Sequence, residues 1–148
     1  MAYEFKQTRR VEFSDTDMAG IMHFSNFFCF MEVTEAAFFR SLGFSIFPAS
    51  LEESVGWPRV HADCDFRHPL RFEDSVEVHL LVREKKERAL AYTFVFRKLN
   101  EIPIQEVARG TLVTACVTRD PSTGRMVAIP IPEVIADKIE VAPQELLA

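Results

Sequence analysis

The chain has 148 residues, of which 48% are hydrophobic, with a mean hydropathy of +0.02 and a formal net charge of −5. Such a length and composition suit one globular domain over 1–148, with enough apolar matter for a core that needs neither disulfide nor metal, and exclude a disordered chain. The acidic balance speaks against nucleic-acid binding, which requires a basic face, and no apolar run approaches the ~20 residues of a membrane span. Fourteen Phe stand against one Trp and two Tyr, a set suited to a greasy interior or an apolar pocket. Cys29, Cys64 and Cys116 show no CxxC spacing and are expected as reduced, mostly buried small hydrophobes. The polar start, Met1 to Arg10, has no secretory character. A cytoplasmic protein is expected.

Over residues 3–13, Tyr3, Phe5, Val11 and Phe13 alternate with charged and polar residues, which predicts a strand with one wet side. The turn formers SDTDMAG follow. From Phe24 to Gly43 the period changes: Phe24, Phe27, Phe28, Met31, Phe38, Phe39 and Leu42 gather on one face of a helix of about five turns. Ser25 and Asn26 are consistent with capping at its start, and Gly43 with its stop. After a loop containing Pro48, Gly56 and Pro58, alternation resumes in three sets: Val60–Phe66, Val76–Val82 and Leu90–Phe96. A longer strand from about Ile104 to Val117 loses phase near Gly110, which suggests a bulge. DPSTGR is a turn, Met126 to Ile129 can pair back, and PEVIADKI reads as a short surface helix. One sheet wrapped around one helix packs this order economically. It leaves part of the helix uncovered, so a second copy is expected.

Two carboxylates, Asp15 and Asp17, occupy the loop that leads into the apolar helix. The first turn of a helix carries unpaired N–H groups and the positive end of the dipole, which can polarise a carbonyl oxygen. A carboxylate on the other side of that carbonyl can attack it or draw a proton from water. From spacing alone, turn and capping chemistry is the commoner reading of this Asp-x-Asp.

The stretch VEFSDTDMAGIMHFSNFFCFME resembles the signature of the hotdog-fold thioesterases of the 4-hydroxybenzoyl-CoA thioesterase family. It matches at Val11-Glu12-Phe13, Asp15, Asp17, Gly20, Ile21-Met22, His23-Phe24, Asn26-Phe27 and Glu32, and HPLRFEDSVEV is similar to the family's approach to the next strand. The resemblance implies an α+β hotdog fold, an antiparallel sheet of five to six strands around one long central helix. It implies a homodimer or homotetramer with the site between subunits, and hydrolysis of an aromatic or short- to medium-chain acyl-CoA with no cofactor beyond the substrate's own coenzyme A. In its terms Asp17 is the nucleophile or general base, and the backbone amide of Phe24 polarises the thioester. His23 stands where many relatives have Tyr or Trp; contact with substrate, a bond to Asp17 and simple packing are all open. Met22 and Phe27 are expected to border the acyl group, with Trp57 and His61 as weaker pocket candidates. Lys85, Lys86 and Arg88 at the charged tip REKKER are either solvated or in contact with the coenzyme A nucleotide. Glu32 reads as a structural acceptor. Glu35 falls inside the Phe face, where a bare carboxylate is costly, and is expected to be paired or partly solvated at a subunit interface. The four histidines show no metal-ligand spacing. An acyl-ACP thioesterase or an enoyl hydratase on the same fold, and a non-catalytic acyl-CoA-binding protein, are the rival readings.

Overall fold

The structure, a computed structural model, describes residues 1–47 and 54–148; Pro48 of the expected loop lies outside them. Strand β1 (Glu4–Arg10) leads through a 3-10 turn (Phe13–Asp15) and a tight loop into helix α1 (Ser25–Ser41). Strands β2 (Arg59–Phe66), β3 (Ser75–Lys85), β4 (Ala89–Lys98) and β5 (Gln105–Ala115) follow. These strands form one five-stranded antiparallel sheet in the order β1-β3-β4-β5-β2. A two-stranded ribbon of β6 (Val117–Arg119) and β7 (Met126–Ala128) comes next, then short helices α2 (Glu133–Ala136) and α3 (Gln144–Leu147). The expected order of strand, long helix and antiparallel strands is what the chain adopts. β1 stops three residues earlier than the alternation suggests, because Phe13 joins the 3-10 turn, 75% exposed, and meets Phe72 edge-on at 5.8 Å.

The core lies between α1 and the inner face of the sheet. Val76, Val78, Leu80 and Val82 of β3 and Leu90, Tyr92, Phe94 and Phe96 of β4 are fully buried, each large side chain contributing about 1.5–3 kcal/mol. Along α1, Phe27 meets Phe96 at 5.2 Å, Phe38 meets Tyr92 at 6.4 Å and Phe39 meets Trp57 at 5.5 Å. Phe24 and Leu42, placed on this face by periodicity, are respectively 59% exposed and half-buried, since the helix ends project beyond the sheet. Gly43 ends the helix with φ +91°, a conformation open to glycine.

Gly110 does not mark a bulge. It pairs in register with Phe94 on one side and Cys64 on the other, and the register shift in the β4–β5 pair lies between Phe96 and Arg97. Its reason is space: a Cβ there would stand 2.5 Å from the Asp63 carbonyl oxygen and closer still to the Met31 methyl of α1. The Met31 side chain can swing away, but the β2 backbone cannot. Gly110→Ala is therefore expected to cost about 1–3 kcal/mol, read as a lowered urea midpoint. An unchanged midpoint would show that the β2 backbone yields at this point.

The alternation of β2 leads one to expect a buried face of Val60, Ala62, Cys64 and Phe66, yet Val60 is 61% and Phe66 48% exposed. β2 is an edge strand, paired only with β5, so one of its sides is open even where Phe66 and Arg59 touch α1. The thiols differ likewise from expectation: Cys116 is buried, Cys64 half-buried and Cys29 exposed. Burial pushes Cys64 up to about 12 and Cys116 up to about 11, so neither is a thiolate near neutral pH. Among the described residues no helix is long and apolar enough to cross a membrane.

Candidate active site

The loop between the 3-10 turn and α1 is a miniature hairpin. Thr16 and Met22 form an antiparallel bridge, the Asp17 N–H donates to Ile21 O at 3.0 Å, and the Gly20 N–H donates to Asp17 O at 3.0 Å. Gly20 takes φ +79° to close it. The Asp17 Oδ1 accepts the Ala19 N–H at 2.8 Å, which orients the carboxylate. Among the described residues its Oδ2 accepts no bond.

Two fastenings hold this hairpin in place. The Asp15 carbonyl accepts both the His23 N–H at 2.9 Å and the Asn26 side-chain amide at 2.8 Å, tying the loop to the first turn of α1. The Met22 N–H donates to Leu70 O at 2.7 Å, tying it to the connection between β2 and β3. Asn26 is thus a donor across the loop and not an N-cap, as its position suggested. The N-cap position itself is Phe24, whose side chain makes no capping bond. The first-turn donors go elsewhere: Asn26 N–H to His23 O, Phe27 N–H to Phe24 O, and Ser25 N–H to the His23 Nδ1 at 3.3 Å. Among the described residues the Phe24 N–H has no acceptor.

Asp17 and Phe24 border one cavity of about 490 Å³, shared with Ile21, Met22, Phe27 and Leu70 and closed opposite by Phe66 to Pro69. Its floor is apolar: Met22, Phe27 and Leu70 are buried, and Phe27 meets Phe66 at 5.0 Å. A carboxylate with a free oxygen, a free amide at a helix's positive end and an apolar floor together can hold, polarise and attack an acyl carbonyl. Other cavities have similar volumes, among them one of about 500 Å³ on the outer sheet face beside Asp63 and Arg109 and one of about 580 Å³ beside Trp57 and Arg59. Neither is bordered by the start of α1.

Of the residues expected at the site, the structure brings together Asp17, Met22, Phe24 and Phe27. His23 stacks on Phe24 at 4.7 Å, with its Nδ1 bonded to Ser25 Oγ at 2.8 Å, and makes no bond to Asp17. His61 stands elsewhere, on exposed β2, 2.7 Å from Asp63 Oδ2. Trp57 borders the other helix-side cavity, as does Glu32, whose carboxylate is 4.0 Å from Arg59. Lys85 is engaged: its ammonium donates to Ala136 O and Ile139 O at 2.9 and 2.8 Å, at the end of α2. Lys86 pairs with Glu84 at 3.3 Å, and Arg88 is exposed. The 11-residue β3 carries this hairpin tip roughly 30 Å from the cavity within one chain.

Glu35 is fully buried, and Arg59 donates to its Oε1 at 2.6 Å. It is not partly solvated. Among the described residues its Oε2 and the Tyr92 hydroxyl are both buried without a hydrogen-bond partner. Burial outweighs the Arg59 guanidinium and pushes Glu35 up to about 7. Sequence reasoning missed Phe66, Arg67, His68 and Pro69 as cavity residues. The signal was present in HPLRFEDSVEV, but only the Met22–Leu70 bond places that segment against the Asp17 loop. Among the described residues no cluster of three or more His, Cys, Asp or Glu forms a metal site.

The profile of the thioesterase-like superfamily matches residues 11–139. A 1,4-dihydroxy-2-naphthoyl-CoA hydrolase of Synechococcus sp. (strain CC9605) is 34% identical over 128 residues, covering 83% of this chain and 82% of that protein. Among solved structures, a gentisyl-coenzyme A thioesterase superposes with TM-score 0.75 at 28% identity, over 90% of this chain and 98% of the other. The 4-hydroxybenzoyl-CoA thioesterase of Pseudomonas sp. strain CBS-3 superposes with TM-score 0.83 over 93% and 99% of the two chains; at 19% identity it speaks for the fold alone. With a sheet wrapped around α1 and a carboxylate loop at the helix start, the chain belongs to the thioesterase-like superfamily, the hotdog-fold hydrolases of acyl-CoA thioesters.

Proposed function

We propose that the acyl-CoA thioester binds with its carbonyl oxygen toward the Phe24 N–H and its acyl group on the floor formed by Met22, Phe27 and Leu70. Asp17 then either attacks the carbonyl carbon or draws a proton from the attacking water, and the products are a carboxylic acid and free coenzyme A. The observation that carries this reading is the one cavity that Asp17 and Phe24 share, with an Asp17 carboxylate oxygen and the Phe24 N–H both unbonded among the described residues. The apolar, phenyl-lined floor favours an aromatic acyl group, held by offset or edge contacts with Phe27 and Phe66. A hydratase reading needs a His paired with the carboxylate, and His23 is bonded to Ser25 instead. In a thiol-release screen, benzoyl and naphthoyl thioesters should give kcat/KM about tenfold or more above acetyl-CoA, from roughly 1.4 kcal/mol of aromatic contact. A preference for the short aliphatic chain would remove the aromatic assignment.

The same reading includes a cytoplasmic homodimer or homotetramer. It is supported by the exposed edge strand β2 and by exposed Val60, Phe66 and Phe24 beside it, surface that a second copy would cover. In such an assembly the hairpin of Lys86 and Arg88 from a neighbouring subunit contacts the phosphates of coenzyme A, while Lys85 stays on α2. Sedimentation should give a multiple of the 17.0 kDa chain; a monomer at assay concentration would end this part of the proposal.

A further inference from the structure

The cavity that Asp17 borders is bordered also by a histidine that the mechanism so far leaves idle. Three of the four histidines have a ring nitrogen bonded: His23 to Ser25, His61 to Asp63, and His79 to Glu4 and Arg97. Among the described residues, neither ring nitrogen of His68 has a partner, and His68 is one of the residues that border the Asp17 cavity. Its backbone is fixed nonetheless. The N–H groups of Arg67 and His68 both donate to Val107 O, at 2.8 and 3.1 Å, and two residues on the Leu70 carbonyl holds the Asp17 hairpin through Met22. The imidazole therefore stands on a segment anchored on both sides of the cavity.

Its height in the cavity says what it meets. The floor is apolar and buried, whereas Arg67 and His68 are exposed, at the mouth. With the acyl group on the floor and the carbonyl oxygen toward the helix start, the remaining substituent of the carbonyl carbon, the sulfur, points toward that mouth. We infer that His68 is a further catalytic residue, the general acid that protonates the departing sulfur of coenzyme A; this rests on the Asp17 reading of the site. As the tetrahedral adduct collapses, the C–S bond breaks and its electron pair passes to sulfur. The imidazolium N–H of His68 delivers its proton to that sulfur, so a neutral thiol leaves. The imidazole regains a proton from the one that hydrolysis releases when the carboxylic acid ionises. Imidazole suits the role because it exchanges a proton near neutral pH.

The test compares two thioesters of one acyl group, the best one from the screen. One carries N-acetylcysteamine, an alkyl thiol that leaves poorly without a proton; the other carries 4-nitrothiophenol, whose thiolate leaves unaided. On the full-length protein, His68→Gln should lower kcat on the alkyl thioester by about 10²-fold, and on the aryl thioester by no more than about threefold. Retained turnover of the aryl thioester also shows that the variant is folded, and His68→Asn should repeat the pattern. Equal losses on both esters, or no loss on either, would overturn the assignment. Asp17→Asn, assayed on the same pair, should lose both, so failure of the Asp17 reading is distinguishable from failure of the His68 inference.

Discussion

Asp17→Asn should lower kcat for acyl-CoA hydrolysis by about 10³-fold or more while leaving the fold untouched. The carboxylate is exposed, and its one bond within the described residues is the Ala19 N–H on Oδ1. An asparagine amide oxygen can accept that same N–H, so the turn survives, and stability should change by no more than about 1 kcal/mol. Substrate should still bind, since the floor and the Phe24 amide are unaltered. What is lost is the second anionic oxygen, the group able to attack a carbonyl or take a proton from water. Thiol release under saturating substrate, together with a urea titration, separates the two effects. Undiminished turnover by a folded Asp17→Asn protein would remove Asp17 from the chemistry.

The second large effect is on stability against pH, and its source is Glu35. Burial disfavours the charged carboxylate more than Arg59 favours it, raising the group from 4.5 to about 7. Between those values the folded protein keeps a proton that the unfolded chain has already released. The resulting stabilisation is complete below about pH 4.5 and is lost as pH rises through about 7. The difference corresponds to on the order of 3 kcal/mol. Glu35→Gln holds the neutral shape at every pH, and its amide oxygen can still accept from Arg59. It should therefore lack this slope and be favoured relative to the native chain above pH 7. Urea midpoints at pH 5 and pH 8 for both proteins test it; parallel shifts would mean that Glu35 ionises in the folded state as it does in water.

Much of the architecture was legible because it is local or periodic. The Phe-rich face of α1, the inner residues of β3 and β4 and the glycine that stops the helix follow from spacing that any one segment carries by itself. The Asp17 loop was legible for the same reason, since its turn formers and the helix start are contiguous. What the sequence hid depends on partners distant along the chain. Val60 and Phe66 alternate like buried strand residues, and only the strand order reveals that β2 has a neighbour on one side alone. Glu35 looked like a costly carboxylate until folding set Arg59, 24 positions away, against it. Gly110 suggested a bulge, and its actual reason, the close approach of the Asp63 carbonyl, comes from a strand far earlier in the chain. His68 read as one scattered histidine, because its place on the same cavity as Asp17 depends on a hydrogen bond between Met22 and Leu70.

That same bond, with the Asp15 carbonyl gripping His23 and Asn26 and the Val107 carbonyl gripping Arg67 and His68, couples the two sides of the cavity into one frame. Neither side can swing outward to admit a bulkier guest without breaking bonds that also shape the other. Broadening the range of acyl groups is then a task of sculpting: exchanging Phe27 or Phe66 for smaller side chains enlarges the chamber, whereas lengthening or loosening the loops would dismantle it.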